Sequence, residues 1–425
     1  MKTLNGIICI ALSLLLAVII LQALASSFVL LVSPVFYLLE VVLLFLLIYR
    51  MMISAAKAEE DAAQLCGRAV LVYFITSACL GIYLAEDLPL SAWDALSTYT
   101  PTVITLTTSN LLLNAVMSDL HALFTLPLVD SRSLSLNWPL LRSCLLATII
   151  VGLILEMSNR HSTQSVGVLT AVLCITMPLV ANHILLVGYA ECLIATLLTL
   201  VCHFLLSVHA QSAKLNYLCA LLVGACIVII KDIGRFYVIG LSCTFIILQL
   251  VNSTHLQSSK SEKIRSCHIK NFVIFMIIVT LGASQMLVII PDDYYGWLLT
   301  FSGRSLPLSV PDISAAFESL VAAILLNQSF SVAFLLYAMM LSSTARNSQV
   351  RNREVHSAKA YLAMFIAVPI CALLTPYGIK YGSPGSDTSL SRLFLVSAIP
   401  CTYLSAYILS RVEFSRASVN ESRIP

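Results

Sequence analysis

Apolar runs of about 20 residues recur along this chain from end to end. That is the length a helix needs to cross hydrocarbon. In lipid the backbone must satisfy its own hydrogen bonds, so spanning segments are helices or closed barrels. A barrel would show segments of about ten residues with alternating hydropathy, and none occur. Composition agrees: 59% of the 425 residues are hydrophobic and only 11% are charged, against about 25% charged in soluble domains. The expected fold is an all-α, polytopic transmembrane helical bundle of about 12 spans. Residues 1-425 form one transmembrane domain with no sizeable soluble part.

The predicted spans are 4–24, 28–49, 67–85, 141–156, 164–181, 184–207, 215–230, 236–251, 271–290, 317–343, 360–377 and 393–411. The first resembles a signal peptide: Lys2, an apolar run, then Ala23-Leu24-Ala25-Ser26. Its apolar run from Ile7 to Leu24 exceeds the usual 7–15 residues of a signal core, so it is read as a retained span. The segment 102–126 is apolar but interrupted by Asp119 and His121. It is expected to lie in the outer interface, within an outer loop over 86–140.

Lysine and arginine in short loops set orientation. With the N-terminus in the cytoplasm, 17 of the 24 basic residues fall inside. They include the two densest basic loops, 252–270 and 344–359. Both chain ends are then cytoplasmic. The acids gather on the other side, where Glu86, Asp87, Asp94, Asp119, Asp130, Glu191, Asp232, Asp292, Asp293, Asp312, Glu318 and Asp387 lie at or near the outer face. Trp93, Trp138 and Trp297 accompany them. Tryptophan marks interfaces in general, but that does not explain the acids. Chemistry is therefore expected on the outer face.

The net charge of +3 argues against nucleic acid as a partner. The thirteen cysteines fall mostly in apolar spans and form no CxxC pair. They read as small buried hydrophobes, not as a disulfide frame or zinc site. The chain has no Walker A, GxSxG or HExxH motif.

Four constellations could carry chemistry. Asp94 follows Trp93 at a membrane mouth, where partial desolvation would suit it to accept a proton; an N-cap aspartate in a loop is the plainer alternative. Glu191, read as two turns into the sixth span, shares a helix face with His183. Ionisable groups inside spans mark functional sites by default, although Glu191 could equally pair with another span. Lys231 and Arg235 sit at an outer turn and suit an anion such as phosphate, unless Asp232 neutralises them locally. Arg392 opens the last span at the height of an outer-leaflet phosphate, where snorkelling is the alternative.

Taken in order, these pieces resemble the GT-C superfamily of integral-membrane glycosyltransferases, relatives of protein mannosyltransferases and the lipid A aminoarabinose transferase. Many bacterial members show W-D-A, a P-D-Y-P-L-L-like segment, G-Y-A-D, K-x-E-G and S-L-x-R-L-L. The corresponding stretches here are Trp93-Asp94-Ala95, Asn137-Trp138-Pro139-Leu140-Leu141, Gly188-Tyr189-Ala190-Glu191, Lys231-Asp232-Ile233-Gly234 and Ser389-Leu390-Ser391-Arg392-Leu393. Ile233 replaces the glutamate of K-x-E-G, Glu191 replaces the aspartate of G-Y-A-D, and the P-D-Y-P stretch is largely lost, leaving Asp130 upstream. The chain reads as a divergent relative over residues 90 to 410.

The resemblance implies transfer of a sugar from a polyprenyl-phosphate donor in the membrane lipid. The acceptor would be an extracytoplasmic glycan, lipid or protein. It implies Asp94 as general base, and Lys231, Arg235 and Arg392 as holders of the phosphate. Trp93, His121, Asp130, His183 and Glu191 would contact substrate. A divalent metal could bridge Asp94 and a phosphate, but the sequence specifies no ligand set and no other cofactor. The family and the compact loops imply the bacterial inner membrane. An O-antigen-type polymerase or ligase is an alternative on the same substrates, although its long outer loop would come late rather than early. A transporter or flippase would carry inverted repeats with broken spans near the midplane, and no such pair is visible.

Overall fold

The computed structural model describes residues 76, 79, 147, 150–154, 164–185, 191–206, 216, 217, 219–221, 223, 224, 227, 232–254, 331–342, 349–373 and 387–421. All of these except Met177 are α-helical. Seven continuous helices result: α1 (Gln164–Thr176), α2 (Pro178–Leu185), α3 (Glu191–Leu206), α4 (Asp232–Thr254), α5 (Ser331–Ser342), α6 (Gln349–Leu373) and α7 (Asp387–Glu421). The all-α class holds, and among the described residues there is no strand. One stretch, Phe394–Arg411 within α7, is long and apolar enough to cross a membrane. Shorter apolar helices run over Ser165–Thr176, Glu191–Leu206, Ile233–Gln249 and Ala333–Ser342. Of the remaining predicted spans, the first two and the ninth lie outside the described residues, as do the loops 86–140 and 255–270.

The bundle is organised around α7, which packs against α1, α2, α3, α5 and α6. Every residue of α3 is buried, as is almost all of α7 from Phe394 to Ser410. These two central helices are closed in by the others. On α3 the threonine hydroxyls are satisfied locally, since Thr196 and Thr199 each donate to the carbonyl four residues back, at 2.7 and 2.8 Å. Such back-bonding lets a polar residue sit in an apolar helix without an orphaned donor.

Three helix boundaries differ from those expected. The break between the fifth and sixth spans was placed at 182–183, but helix continues there. It breaks instead at Met177, because Pro178 has no N–H to donate and disfavours helical geometry in the residue before it. Pro178 is itself well suited to a first helical position. The Met177 carbonyl accepts from Ala181 N at 3.0 Å, which starts α2. Second, α6 begins at Gln349, so most of the basic segment 344–359 is helical. Buried Val355, Ala358, Tyr361, Leu362 and Phe365 recur at helical spacing across the expected boundary. Third, α4 starts at Asp232 and carries 232–235 in its first turn rather than in a loop.

Gly234 makes that early start possible. A Cβ there would lie 2.6 Å from Ile227 Cγ2 and 2.7 Å from the Ile227 carbonyl oxygen. A flexible side chain could yield, but a backbone carbonyl cannot without moving its helix. Gly234→Ala is therefore expected to destabilise by about 1–3 kcal/mol, the usual cost of overpacking. The check is the thermal midpoint in mild detergent, and an unchanged midpoint would contradict this packing.

At the far end of α7, Arg411 forms an ion pair with Glu354 of α6. Tyr407 donates to Glu354 Oε2 at 3.1 Å, and the guanidinium lies 5.5 Å from the Tyr407 ring centroid. Nearby, Lys359 donates to the Leu341 carbonyl at 3.2 Å in the last turn of α5, where a cation complements the helix dipole. Burial lowers the Lys359 pKa below its ordinary value.

Candidate functional site

Five of the nine residues proposed from sequence (Trp93, Asp94, His121, Asp130 and Lys231) lie outside the described residues. The other four fall on separate helices. His183 is buried in the last turn of α2. Glu191 is buried in the first turn of α3, not two turns into its helix. A carboxylate in a first turn is stabilised by the helix dipole. Arg235 is partly buried in the first turn of α4, and Arg392 stands on α7 close to its start.

Side-chain contacts give the heights of these residues along α7. Phe365 of α6 meets Ser397 while Glu354 meets Tyr407 and Arg411, so α6 runs antiparallel to α7. Phe334 of α5 packs on Phe394 while Tyr337 reaches Ala398 and Thr402, so α5 runs parallel to it. On α4, Tyr237 OH lies 2.7 Å from Ser397 Oγ. Arg235 precedes Tyr237 by two residues, about 3 Å of helix, and Arg392 precedes Ser397 by five, about 7.5 Å.

On α3, His203 Nδ1 lies 2.9 Å from Tyr403 OH. Cys174 of α1 is near enough to both Cys192 and Tyr337 to interact electrostatically with each. That agrees with α3 running parallel to α7. Glu191 precedes His203 by twelve residues and Arg392 precedes Tyr403 by eleven, about 18 and 17 Å. With α3 and α4 running parallel to α7, Glu191, Arg235 and Arg392 stand toward one end of the bundle. The Glu354–Arg411 pair holds the other end.

One buried carboxylate and two guanidinium-bearing positions at one end are chemically suited to a polar ligand with an anionic group. Arginine binds phosphate through paired hydrogen bonds and stays charged at all working pH values. Among the described residues, no group of three His, Cys, Asp or Glu side chains could hold a metal ion.

Below this end lies a buried network that the sequence reading passed over. Pro369 has no N–H to offer the carbonyl four residues back, that of Phe365. Ser397 of α7 donates to that carbonyl at 2.7 Å. The serine proton is thereby committed, so Tyr237 must be the donor in its contact with Ser397. A second junction joins α5 to α7, where Tyr337 OH lies 2.8 Å from the Ala398 carbonyl and 2.7 Å from Thr402 Oγ1. The signal available in the sequence was Pro369 inside an apolar run, with hydroxyl residues spaced along another run. In lipid, carbonyls freed by proline are re-satisfied by hydroxyls of neighbouring helices.

Comparison with protein-family models, curated proteins and solved structures finds no match for this chain.

Proposed function

We propose that this chain is an integral-membrane glycosyltransferase of GT-C type, moving a sugar from a polyprenyl-phosphate donor to an extracytoplasmic acceptor in cell-envelope glycoconjugate synthesis. The observation that carries the reading is the convergence of Glu191, Arg235 and Arg392 at one end of the bundle. These positions lie in or beside three stretches resembling family motifs, spread over about 200 residues of sequence.

The distribution of polarity supports the membrane part of the reading. Leu169 on α1, Ile247 on α4, and Leu335 and Met339 on α5 are 70%, 59%, 67% and 63% exposed. Thr199, His203, Thr402 and Ser405 are buried at the centre. A soluble bundle places these classes the other way round, because exposing apolar surface to water costs about 25 cal/mol per Å². Lipid removes that cost on the outside, and packing satisfies the Thr199 and Thr402 hydroxyls inside.

In the proposed reaction the acceptor hydroxyl oxygen attacks the anomeric carbon of the sugar. Asp94 takes the hydroxyl proton as the new C–O bond forms. The bond from the anomeric carbon to the phosphate oxygen breaks, and its electron pair leaves with the polyprenyl phosphate. Lys231, Arg235 and Arg392 stabilise the charge gathering on that phosphate. Glu191 and His183 shape the pocket for the sugar or acceptor.

The test is transfer by the purified chain in mild detergent from a mixture of radiolabelled polyprenyl-phosphate sugars. Labelled acceptor product is the expected result. Failure both to transfer and to bind any of these donors would move the reading to transport, which the central, buried His203 on α3 would then favour.

A further inference from the structure

Two of the three phosphate-holding positions in the proposed function stand on α4 and α7, and a single buried junction ties these helices together directly below them. Tyr237 of α4 donates to Ser397 of α7 at 2.7 Å, and Ser397 donates to the Phe365 carbonyl of α6 at 2.7 Å. Tyr237 and Ser397 are 1% and 4% exposed, so water does not compete for these bonds. The Tyr237 and Phe365 rings also stack, with centroids 5.8 Å apart. α4 meets α6 closely here, since a Cβ at Gly240 would come within 2.9 Å of both Met364 Sδ and Val368 Cγ2.

The junction sits at a proline inside α6, Pro369. With an ordinary residue at 369, its N–H would bond the Phe365 carbonyl within α6. Ser397 would then share that acceptor with an intrahelical N–H. Pro369 opens that acceptor, Ser397 fills it, and the serine oxygen is left facing Tyr237. Rotation or sliding of α4 against α7 breaks the Tyr237–Ser397 bond, and loss of Ser397 removes the donor to the Phe365 carbonyl and an acceptor for Tyr237.

Resting on the glycosyltransferase reading, we propose that Ser397 is a positioning residue. By pinning α4 and α7 to the carbonyl vacated by Pro369, it sets the relative heights of Arg235 and Arg392 and thereby the affinity for the lipid phosphate. Ser397 does not touch the ligand in this account, because Arg392 stands about 7.5 Å further along α7. Its effect passes through backbone position.

The test is binding of a long-chain polyprenyl monophosphate, without sugar, to the full-length chain in mild detergent, read beside the thermal midpoint. Arg235→Ala and Arg392→Ala serve as direct controls and should lose binding. Ser397→Ala should weaken binding about tenfold, equivalent to about 1.4 kcal/mol. The double variant Ser397→Ala/Pro369→Ala should recover the midpoint but not the affinity, because alanine at 369 restores an N–H to the carbonyl while the tie between α4 and α7 stays broken. If Ser397→Ala does not fold, Tyr237→Phe removes the α4 bond alone while keeping the ring, and it too should weaken binding. A lowered midpoint with unchanged affinity of the folded chain would mean a structural role only and overturns the proposal. Recovery of affinity in the double variant would mean that satisfying the Phe365 carbonyl, not the tie between helices, sets binding, and overturns the positioning role. Loss in the arginine variants with normal binding by the Ser397 and Tyr237 variants defeats the positioning role and leaves the function standing. No binding by the wild-type chain defeats both.

Discussion

Asp94→Asn is expected to lower transfer by about 10²- to 10⁴-fold, the range that a positioned general base contributes. Asparagine keeps the size and hydrogen-bonding reach of aspartate but cannot accept the acceptor's proton. Binding of the lipid-linked donor should survive, because the phosphate is held by cations elsewhere. The loss should therefore appear in kcat, with KM for the donor little changed. Arg392→Ala should act in the opposite sense on donor affinity, and the contrast separates the two roles. Asp94 lies outside the described residues, so its role rests on the Trp93-Asp94-Ala95 resemblance and on the outer-face position expected from the distribution of basic residues. Transfer by the asparagine variant at the wild-type rate would remove Asp94 from the mechanism.

The second large effect is structural. Tyr337→Ala should destabilise the bundle by about 3–5 kcal/mol, the cost of removing a large buried aromatic side chain. Tyr337 is 1% exposed. Its ring lies 5.6 Å from that of Phe334, which packs on Phe394 of α7. Its hydroxyl reaches Ala398 and Thr402. Tyr337→Phe keeps the ring and loses only the hydroxyl contacts, so about 1–2 kcal/mol is expected there. Comparing both variants by thermal unfolding in detergent separates ring packing from hydrogen bonding. Equal losses in the two would mean that the hydroxyl, not the ring, holds α5 to α7.

Helix type was legible in the sequence because apolar periodicity and length report it directly. The last predicted span, 393–411, coincides with the membrane-length stretch Phe394–Arg411. Boundaries were less legible where charge or proline interrupted the pattern. Arg351, Arg353 and Lys359 made 344–359 resemble a loop, although Val355 and Ala358 continue the buried stripe of α6. Gly234 and Asp232 suggested a turn, but the glycine serves the close approach to Ile227 within a helix. Met177 gave no warning of a break until the backbone effect of Pro178 was considered.

For the site, residue type was legible and position was not. Glu191, Arg235 and Arg392 stood out because charge in apolar surroundings is costly. Their common height depends on long-range contacts, Tyr237 with Ser397 and His203 with Tyr403, which periodicity does not encode. The hydroxyl junctions were hidden for a related reason. Serine, threonine and tyrosine are tolerated in apolar helices, and only the three-dimensional partner distinguishes a back-bonded hydroxyl from a cross-helix one.

The account rests most heavily on a membrane bundle whose Glu191–Arg235–Arg392 end faces away from the cytoplasm, and reporter fusions test that directly. Alkaline phosphatase joined after residue 386, just before α7, should be active. A fluorescent protein joined after residue 425 should fluoresce in the cytoplasm. The chain should also stay in the membrane pellet after alkaline carbonate treatment. The reverse reporter pattern would place the basic end of the bundle outside and contradict the site's orientation, and release by carbonate would contradict the membrane bundle itself.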